Sequence, residues 1–392
     1  MKVYILTMDP FPVGFAGTNR IRHYGKGLVR ARMDCEVVVL YRTERSNIVN
    51  KNAKGESEGV KFRYVAGSTE RSTNFIRRRI DDICADLRLL RFLTGEIKRG
   101  DAILWFIGGK GVIYTGLVQI ICACKGVKIV RELCELPYVT SSDSIWKKLQ
   151  RWCYSRISMP GFDGFISISE ELSLYAQRVA SGVSNVKVPI LVDVDQYNDV
   201  VSHKHHRPYI FHAGTMYERK DAIVSTMKAF AKAARSLNYG VDFILAGPKS
   251  PHHQELQEII KDYHIEDNVH FIGSITHSEV LSYQKGASLS ILNKNDNLQN
   301  RCGFSTKLGD ILLAGVPVLT TTVGEANFFL KDGESAYICE PHNIDAVTEK
   351  IEEAFADEAK RIQIGAAGRE IAKHYFDCNM QGVRLRNFFE TL

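Results

Sequence analysis

Short apolar runs alternate with longer amphipathic stretches along the whole chain, and this alternation constrains the fold more than any other feature. In the first half the apolar runs fall at residues 3–7, 36–40, 60–64, 102–106, 128–131 and 164–168, and the helical patterns at 18–32, 74–97, 112–123 and 145–158. The pattern restarts with apolar runs at 208–214, 241–246, 269–271, 289–292, 317–320 and 336–339, and helical patterns at 222–236, 254–264, 277–286, 306–314 and 344–356. Strands that alternate with helices predict parallel sheets covered by helices. We therefore predict an α/β protein of two Rossmann-like domains.

A polar segment at residues 202–207 separates the two halves, and we interpret it as a linker. We predict an N-terminal domain at residues 1–190 and a C-terminal domain at residues 191–378. The final helix, at residues 379–392, is expected to cross back onto the first domain. His203, His205 and His206 lie in the linker without a carboxylate or cysteine adjacent to them in sequence. We interpret them as exposed linker residues and predict no metal site.

The strongest chemical signal is a glycine loop that runs into a helix. It reads Gly303-Phe304-Ser305-Thr306-Lys307, with Asp310 one turn further on. Free N–H groups at a helix N-terminus bind anions, and a lysine in the first turn suits a bound phosphate better than it suits the helix dipole. A carboxylate at position 310 can accept two hydrogen bonds from a ribose diol. An ordinary capped helix with a solvated lysine and aspartate is the alternative.

A second signal follows the first strand of the C-terminal half. Gly214 and Thr215 lead into Arg219 and Lys220 at the start of the next helix. Glycine allows close backbone approach, and paired cations suit a diphosphate. A solvated basic turn is the alternative. In the N-terminal half, Glu132 and Glu135 follow a predicted strand, where they could bind acceptor hydroxyls or accept a proton, or stand as solvated loop residues.

Together these segments resemble glycosyltransferase family 4, which has the GT-B architecture, and the resemblance covers essentially the whole chain. The loop from Gly214 to Lys220 is similar to the glycine–basic loop that grips the donor diphosphate in that family. Further positions are similar to the family's glycine loop after the first strand, its second strand-end glycine turn and its base-contacting turn: Gly14 and Gly17, Gly247, and Ile275. The resemblance implies two domains that face each other across a deep cleft, with acceptor bound by the first and donor by the second. It also implies retention of anomeric configuration and no required metal.

Three positions depart from the family pattern. The family typically has two glutamates separated by seven residues, and here those positions hold Cys302 and Asp310. Asp310 keeps a carboxylate on a shorter arm, whereas Cys302 cannot replace the acid thought to hold the donor sugar. Thr215 stands where an arginine is common, which leaves Arg219 and Lys220 to carry the diphosphate.

The resemblance implies a hexosyltransferase-type enzyme that moves a sugar from a UDP- or GDP-sugar to a glycan or polyprenyl-linked oligosaccharide. We expect a role in bacterial surface polysaccharide synthesis, such as capsule, O-antigen or lipopolysaccharide. Lys220, Arg219 and Glu132 are the expected catalytic residues. A non-hydrolysing sugar-nucleotide epimerase or hydrolase of the same architecture remains an alternative, as does a non-catalytic sugar-nucleotide-binding protein.

Charge and hydropathy limit the partners and the location. The net charge is +6, without a basic tail or a nucleic-acid motif, so we expect no nucleic-acid partner. No apolar run approaches the roughly 20 residues of a membrane helix, and the first residues do not resemble a signal peptide. We expect a cytoplasmic protein. Residues 75–80 and 146–156 mix aromatic and basic side chains, which suits peripheral contact with an anionic membrane at the inner face; a helix that packs its aromatics into the core is the alternative.

Overall fold

The protein comprises two compact units in a computed structural model that describes residues 1–45, 48–136 and 144–392. The first unit is Met1–Leu191 together with Cys378–Leu392, and the second is Val192–Asp377. Each unit contains its own sheet and its own buried core. The last helix thus belongs to the first unit although almost half of the chain separates the two in sequence.

The strands are β1 (Lys2–Thr7), β2 (Asp34–Val39), β3 (Lys54–Ser57), β4 (Val60–Tyr64), β5 (Ala102–Trp105), β6 (Lys128–Leu133), β7 (Gly164–Ser167), β8 (Ser184–Lys187), β9 (Tyr209–Ala213), β10 (Asp242–Ala246), β11 (Val269–Gly273), β12 (Leu289–Leu292), β13 (Val318–Thr321) and β14 (Tyr337–Cys339). The helices are α1 (Ala16–Arg30), α2 (Phe75–Gly95), α3 (Val112–Lys125), α4 (Ile145–Cys153), α5 (Glu170–Val179), α6 (Glu218–Asp221), α7 (Ile223–Ser236), α8 (His253–Asp262), α9 (His277–Gly286), α10 (Leu298–Cys302), α11 (Thr306–Leu313), α12 (Ile344–Ala356), α13 (Glu358–Ile371) and α14 (Cys378–Glu390). Short 3-10 segments lie at Met159–Gly161, Glu266–Asn268 and Glu325–Phe328, and π-helical segments at Tyr154–Ser158 and Ala372–Phe376.

The first sheet has the order β3-β4-β2-β1-β5-β6-β7-β8. All its neighbours pair in parallel except β3, which forms an antiparallel hairpin with β4. The hairpin turns through Glu58 and Gly59, which have φ angles of 51° and 81°. The second sheet is parallel throughout, in the order β11-β10-β9-β12-β13-β14. Two parallel α/β units of this kind confirm the predicted fold class.

Helices α1 and α14 pack backbone against backbone within the first unit. A Cβ atom on Gly27 would lie 2.2 Å from the carbonyl oxygen of Cys378, and a Cβ on Gly382 would lie 2.2 Å from the carbonyl oxygen of Gly27. Only glycine permits this approach. Four side chains of α14 join the buried cluster that includes Val3 of β1, namely Cys378, Leu385, Phe388 and Phe389. The last helix therefore completes the core of the first unit.

In the second sheet the strand order reverses between β9 and β12. The chain runs from β9 outward to β11, and then returns to place β12 on the other side of β9. Ligands of open parallel sheets bind beyond the carboxyl ends of the strands at such a reversal. The segments that follow Ala213 and Leu292 therefore mark where a functional site is expected in this unit.

Candidate functional site

The loop after β9 approaches its neighbours too closely for any side chain. Gly214 has a φ of 156°, and a Cβ on it would lie 2.0 Å from the Nζ atom of Lys307. A Cβ on Gly247, at the end of β10, would lie 2.0 Å from the carbonyl oxygen of Gly214. The structure thus brings together three predicted site residues from three separate segments. Glycine at these two positions is what allows the close approach at the carboxyl ends of β9 and β10.

Two non-glycine residues in left-handed conformation shape the rest of this loop. Met216 has a φ of 55° and Ala222 a φ of 44°, conformations that cost energy for residues with a side chain. The Ser250 hydroxyl donates to the Met216 carbonyl at 2.7 Å. Glu218 accepts from the Val224 N–H at 2.6 Å and caps the first turn of α7. These contacts hold α6, which carries Arg219 and Lys220, in one place.

Asp221 is the buried centre of a charge cluster. Its Oδ1 atom accepts a hydrogen bond from Lys294 Nζ at 3.0 Å and lies 3.5 Å from Lys307 Nζ. Burial alone would raise the pKa of Asp221, but the charges of Lys307 and Lys294 outweigh it and hold that pKa well below its usual range. Asp221 is therefore a carboxylate, and it positions two lysines from the segments after β12 and at the start of α11.

Lys307 and His212 respond to the same burial. Desolvation of its ammonium group lowers the pKa of Lys307 to about 8, opposed by Asp221, although 31% of the whole side chain is exposed. Burial and the charge of Lys307 lower the pKa of His212 to about 4, so its ring is neutral at pH 7. Its Nδ1 atom lies 3.1 Å from the Ile291 carbonyl oxygen, which can only accept, and the proton therefore resides on Nδ1. Among the described residues, neither His212 Nε2 nor Asp221 Oδ2 has a hydrogen-bond partner.

Side-chain amides fix the basic loop from below. Asn295 Nδ2 donates to the Glu218 carbonyl at 2.7 Å, and Asn297 Nδ2 donates to the Arg219 carbonyl at 2.9 Å. Lys294 Nζ lies 3.2 Å from the Lys220 carbonyl. The backbone of α6 is therefore held while the side chains of Arg219 and Lys220 remain exposed. Thr215, also predicted for this site, is exposed too.

The start of α11 lacks a side-chain cap and is anchored by a buried aromatic ring. Ser305 occupies the N-cap position, but its side chain makes no capping hydrogen bond to the helix. Phe304 is buried, with its ring centroid 5.7 Å from that of Phe329 and 5.6 Å from that of Phe376. The phenyl ring therefore anchors the helix start in the core and does not itself form a ligand surface. Gly303 and Thr306 flank this anchor and are half-buried.

Asp310 lies beside the segment that opens the second unit. Its Oδ1 atom accepts a hydrogen bond from Gln196 Nε2 at 2.8 Å. Burial, reinforced by the charge of Asp310, raises the pKa of Tyr197. Cys302 is buried. Ile275, half-buried, packs with Phe211 and Ala246 on the other face of β9 and β10 from the main core cluster.

Glu132 is not the accessible carboxylate that its position after a strand suggested. Only 1% of its side chain is exposed, and its Oε1 atom lies 2.8 Å from Arg20 Nε. The Tyr24 hydroxyl lies 3.0 Å from Oε2, and Arg20 also donates to the Pro189 carbonyl at 2.6 Å. Burial by itself would lower the pKa of Arg20, but Glu132 raises it, so the guanidinium stays charged. Glu132 is thus the buried counter-ion of Arg20. The pair links β6 to α1, and Arg20 in turn holds the Pro189 carbonyl.

The remaining predicted residues of the first unit lie on the surface or beside the end of β1. Glu135 is exposed. Gly14 and Gly17 follow β1, where a Cβ on Gly14 would lie 2.1 Å from Thr18 Oγ1 and one on Gly17 would lie 2.4 Å from Asp9 Oδ2. These glycines therefore let the first turn of α1 close onto the loop before it.

Comparison with known proteins shows what the second unit is similar to. Residues 193–371 match the family model described as "Glycosyl transferases group 1". Over 160 residues the chain is 24% identical to N-acetyl-alpha-D-glucosaminyl L-malate synthase of Bacillus anthracis. That alignment covers 41% of this chain and only 39% of the length of that protein.

Solved structures resemble the chain over its full length. Sucrose-phosphate synthase of Thermosynechococcus elongatus has a TM-score of 0.74 at 15% identity, covering 100% of this chain and 99% of that one. Anabaena HepE in complex with UDP has a TM-score of 0.70 at 13% identity, with 100% of both chains covered. A glycosyltransferase from Rickettsia africae has a TM-score of 0.69 at 14% identity, covering 100% and 98%. At these identities the likeness shows the fold, which confirms the predicted GT-B architecture.

The chain therefore has the GT-B fold, and residues 193–371 are similar to a group 1 glycosyltransferase domain. The matched residues lie within the second unit, and they include the loop after β9, the Asp221 cluster and the start of α11.

Proposed function

We propose that this protein transfers a hexose from a UDP- or GDP-sugar to a glycan or lipid-linked acceptor. The observation that carries the proposal is the cluster of cations at the carboxyl ends of β9 and β12. Lys307 and Lys294 are held there by Asp221, with Lys220 and Arg219 exposed next to them. A nucleoside diphosphate is the substrate group that such a cluster recognises best, because two phosphates offer several charged oxygens to fixed cations.

The same groups account for the chemistry of transfer. As the bond between the sugar and the β-phosphate oxygen breaks, negative charge develops on the diphosphate. Lys220, Arg219 and Lys307, with the N–H groups at the start of α11, stabilise that charge from fixed positions. The proton-free Nε2 of neutral His212 is an acceptor in the same cluster. We propose that the transfer proceeds with retention of configuration and without a metal on the diphosphate.

Binding of the nucleoside follows from the neighbouring residues. We propose that the ribose hydroxyls bind Asp310, whose carboxylate Gln196 already orients. Backbone atoms near Ile275 would contact the base. Solved relatives of the same fold bind UDP and UDP-glucose, which supports a nucleotide-sugar donor here.

Nucleotide titration tests this function. Calorimetry with UDP and with GDP should show one bound nucleotide per chain for one of the two bases. Asp310→Asn should weaken binding by about 10- to 100-fold, as expected for a lost hydrogen bond to a charged group of roughly 1.5–3 kcal/mol. Cys302→Ala is the matched control, because its buried thiol is a poor partner for a sugar, and it should bind like wild type.

Product analysis then separates transfer from its alternatives. With a donor sugar and an acceptor glycan, the sugar should appear on the acceptor. Release of free sugar or an epimerised nucleotide sugar would identify the hydrolase or epimerase instead. If neither nucleotide binds, the donor site is wrong.

An exposed apolar surface in the first unit supports a lipid-linked acceptor. No residue of α4 is buried, and Trp146 is 79% exposed, so its aromatics do not pack into the core. Helix α2 packs on α3, and α3 packs on the π-helical segment that continues α4. The exposed apolar side chains of these helices include Phe75, Ile76, Ile80, Ile83, Leu87, Ile113, Leu117, Ile120, Leu149 and Trp152.

Basic side chains border this apolar surface, as in proteins that bind the interface of anionic membranes. Arg78 and Arg79 lie over the ring of Phe75, and Lys147, Lys148 and Arg151 belong to α4. No helix among the described residues combines the length and apolar character needed to cross a bilayer. We propose peripheral contact with an anionic membrane, in the synthesis of a bacterial surface polysaccharide such as capsule or the O-antigen of lipopolysaccharide.

Vesicle binding tests the membrane contact. Replacing Lys147, Lys148 and Arg151 together by Gln should weaken binding to phosphatidylglycerol-containing vesicles by about 100-fold, since each cation near such a surface is worth roughly 1 kcal/mol. Replacing Lys232, Lys249 and Lys261 of the second unit by Gln is the charge-matched control. Co-sedimentation should also fall with salt and require the anionic lipid. Equal binding by both triple variants would contradict the proposal.

A further inference from the structure

A second cluster of polar side chains surrounds Asp242 at the end of the second sheet where its strands begin. Asp242 is the first residue of β10, His270 is the second residue of β11, and His205 and His206 precede β9. In a parallel sheet all strands begin at one end of the sheet and finish at the other, so their amino ends lie opposite to their carboxyl ends. This cluster is therefore separate from the Asp221 cluster, and the proposed transfer does not use it.

Three imidazoles converge on one oxygen of the carboxylate. The Oδ2 atom of Asp242 lies 2.7 Å from His205 Nε2, 3.2 Å from His270 Nε2 and 3.7 Å from His206 Nε2. The ligand atoms of His205, His206 and Asp242 all lie within 4.8 Å of one another. A tetrahedral Zn²⁺ ion with bonds of 2.0–2.2 Å requires neighbouring ligand atoms about 3.3 Å apart. The three separations from Oδ2 lie within about 0.6 Å of that value.

The carboxylate is also fixed from its other side. The side chain of Asp242 is 0% exposed, and its Oδ1 atom accepts hydrogen bonds from Arg207 and Asn268 at 3.2 Å each. These two donors hold Oδ2 towards the imidazoles, as the outer partners of metal-bound carboxylates do. His206, by contrast, is 64% exposed and gives an ion a route from solvent.

We propose that His205, His206, His270 and Asp242 form a Zn²⁺ site that attaches the segment before β9 to the amino-terminal ends of β10 and β11. Three imidazole nitrogens and one carboxylate oxygen are a ligand set that suits Zn²⁺, and four protein ligands fill its tetrahedral sphere. The site is structural, because no coordination position is left for a substrate. The ion replaces the proton that now joins His205 to Asp242, so binding releases protons and weakens as the pH falls.

The sequence alone pointed away from this site. The histidines at 203–206 have no acidic residue beside them in the chain. Their carboxylate partner, Asp242, lies 37 positions after His205 and 28 positions before His270. The structure corrects the interpretation as exposed linker residues for His203 and His205, whereas His206 is exposed as expected. His205 is half-buried against the carboxylate, and His203 stacks on Tyr283 with ring centroids 3.8 Å apart.

The test is Zn²⁺ binding by the full-length, untagged protein after chelator treatment. Calorimetry should show one Zn²⁺ per chain, and thermal unfolding should shift upward with added Zn²⁺. His206→Gln removes a largely exposed ligand without disturbing the fold and should weaken binding at least about tenfold, the lower end of what even outer partners contribute. His270→Gln should do the same, and the double variant should lose specific binding.

His277→Gln is the matched control, because His277 is an exposed histidine at the start of α9. It should leave the affinity unchanged. Substitution by Co²⁺ should give the visible absorption of a tetrahedral site in the wild type, and His206→Gln should reduce it. Absence of stoichiometric binding, or equal affinities for His206→Gln, His270→Gln and His277→Gln, would overturn the proposal. Nucleotide titration of the same variants should be unaffected, which keeps this test independent of the proposed transfer.

Discussion

Lys220→Ala is expected to slow sugar transfer by about 100- to 1000-fold at saturating donor. Loss of one fixed group that stabilises developing charge costs roughly 2.7–4 kcal/mol in the transition state. The Lys220 side chain is exposed on a loop whose backbone is held by Asn297 and Lys294, so its removal should leave the loop in place. The effect should therefore appear in the rate more than in the melting temperature.

Single-turnover transfer assays measure this effect, with Lys261→Ala as the control. Lys261 is an exposed lysine in the last turn of α8 and should be neutral. Circular dichroism checks that both variants are folded. If Lys220→Ala transferred sugar at the wild-type rate, the proposed diphosphate site would be wrong. The main argument for the proposed activity would then be lost.

Asp221→Asn should lower the free energy of unfolding of the second unit by about 3–5 kcal/mol. The substitution removes the carboxylate that pairs with Lys294 and Lys307 and leaves buried cations without a counter-ion. Asp345→Asn is the control, since Asp345 pairs with Lys232 at the surface. An exposed pair contributes at most about 1 kcal/mol.

Urea unfolding followed by circular dichroism measures this loss. All three tryptophans, Trp105, Trp146 and Trp152, lie in the first unit, so tryptophan fluorescence should report an unshifted transition there. The folded-state pKa of Asp221 lies below its unfolded value, so its contribution is present at neutral pH and disappears as the pH falls through the folded pKa. The difference between wild type and Asp221→Asn should accordingly shrink in acid. Equal losses for Asp221→Asn and Asp345→Asn would show that Asp221 is not a buried counter-ion.

The strands that the sequence predicted carry apolar side chains in a continuous or an alternating pattern. Leu289–Leu292 is buried throughout and Val60–Tyr64 buries every second residue, and both agree with the structure at both ends. Strands β3 and β8 were missed. Lys54–Ser57 contains no apolar residue, and Ser184–Lys187 contains only Val186; both lie at sheet edges, where backbone pairing can form a strand without an apolar signal.

Sequence alone indicates the candidate site only where its residues are adjacent in the chain. The loops at 214–220 and 303–310 stand out as glycine and basic residues at strand ends. The two buried acids do not stand out in the sequence, because their partners are remote in the chain. Asp221 pairs with Lys294, 73 positions away, and Glu132 pairs with Arg20, 112 positions away. Asp221 follows directly after Lys220, so an acid next to paired cations was the one signal available for it. His212 and Lys294 gave no such signal.

The glycine contact between α1 and α14 imposes an order on biosynthesis. The helix that completes the first core is translated only after the whole of Val192–Asp377. At about 5–20 residues per second, that interval is on the order of 10 to 40 seconds. During it, the groove around Gly27 and the apolar side chains that later meet Phe388 and Phe389 stand open to water. The second unit is thus fully translated before the core of the first unit can be completed, in contrast to the usual N-terminal-first order of domain folding.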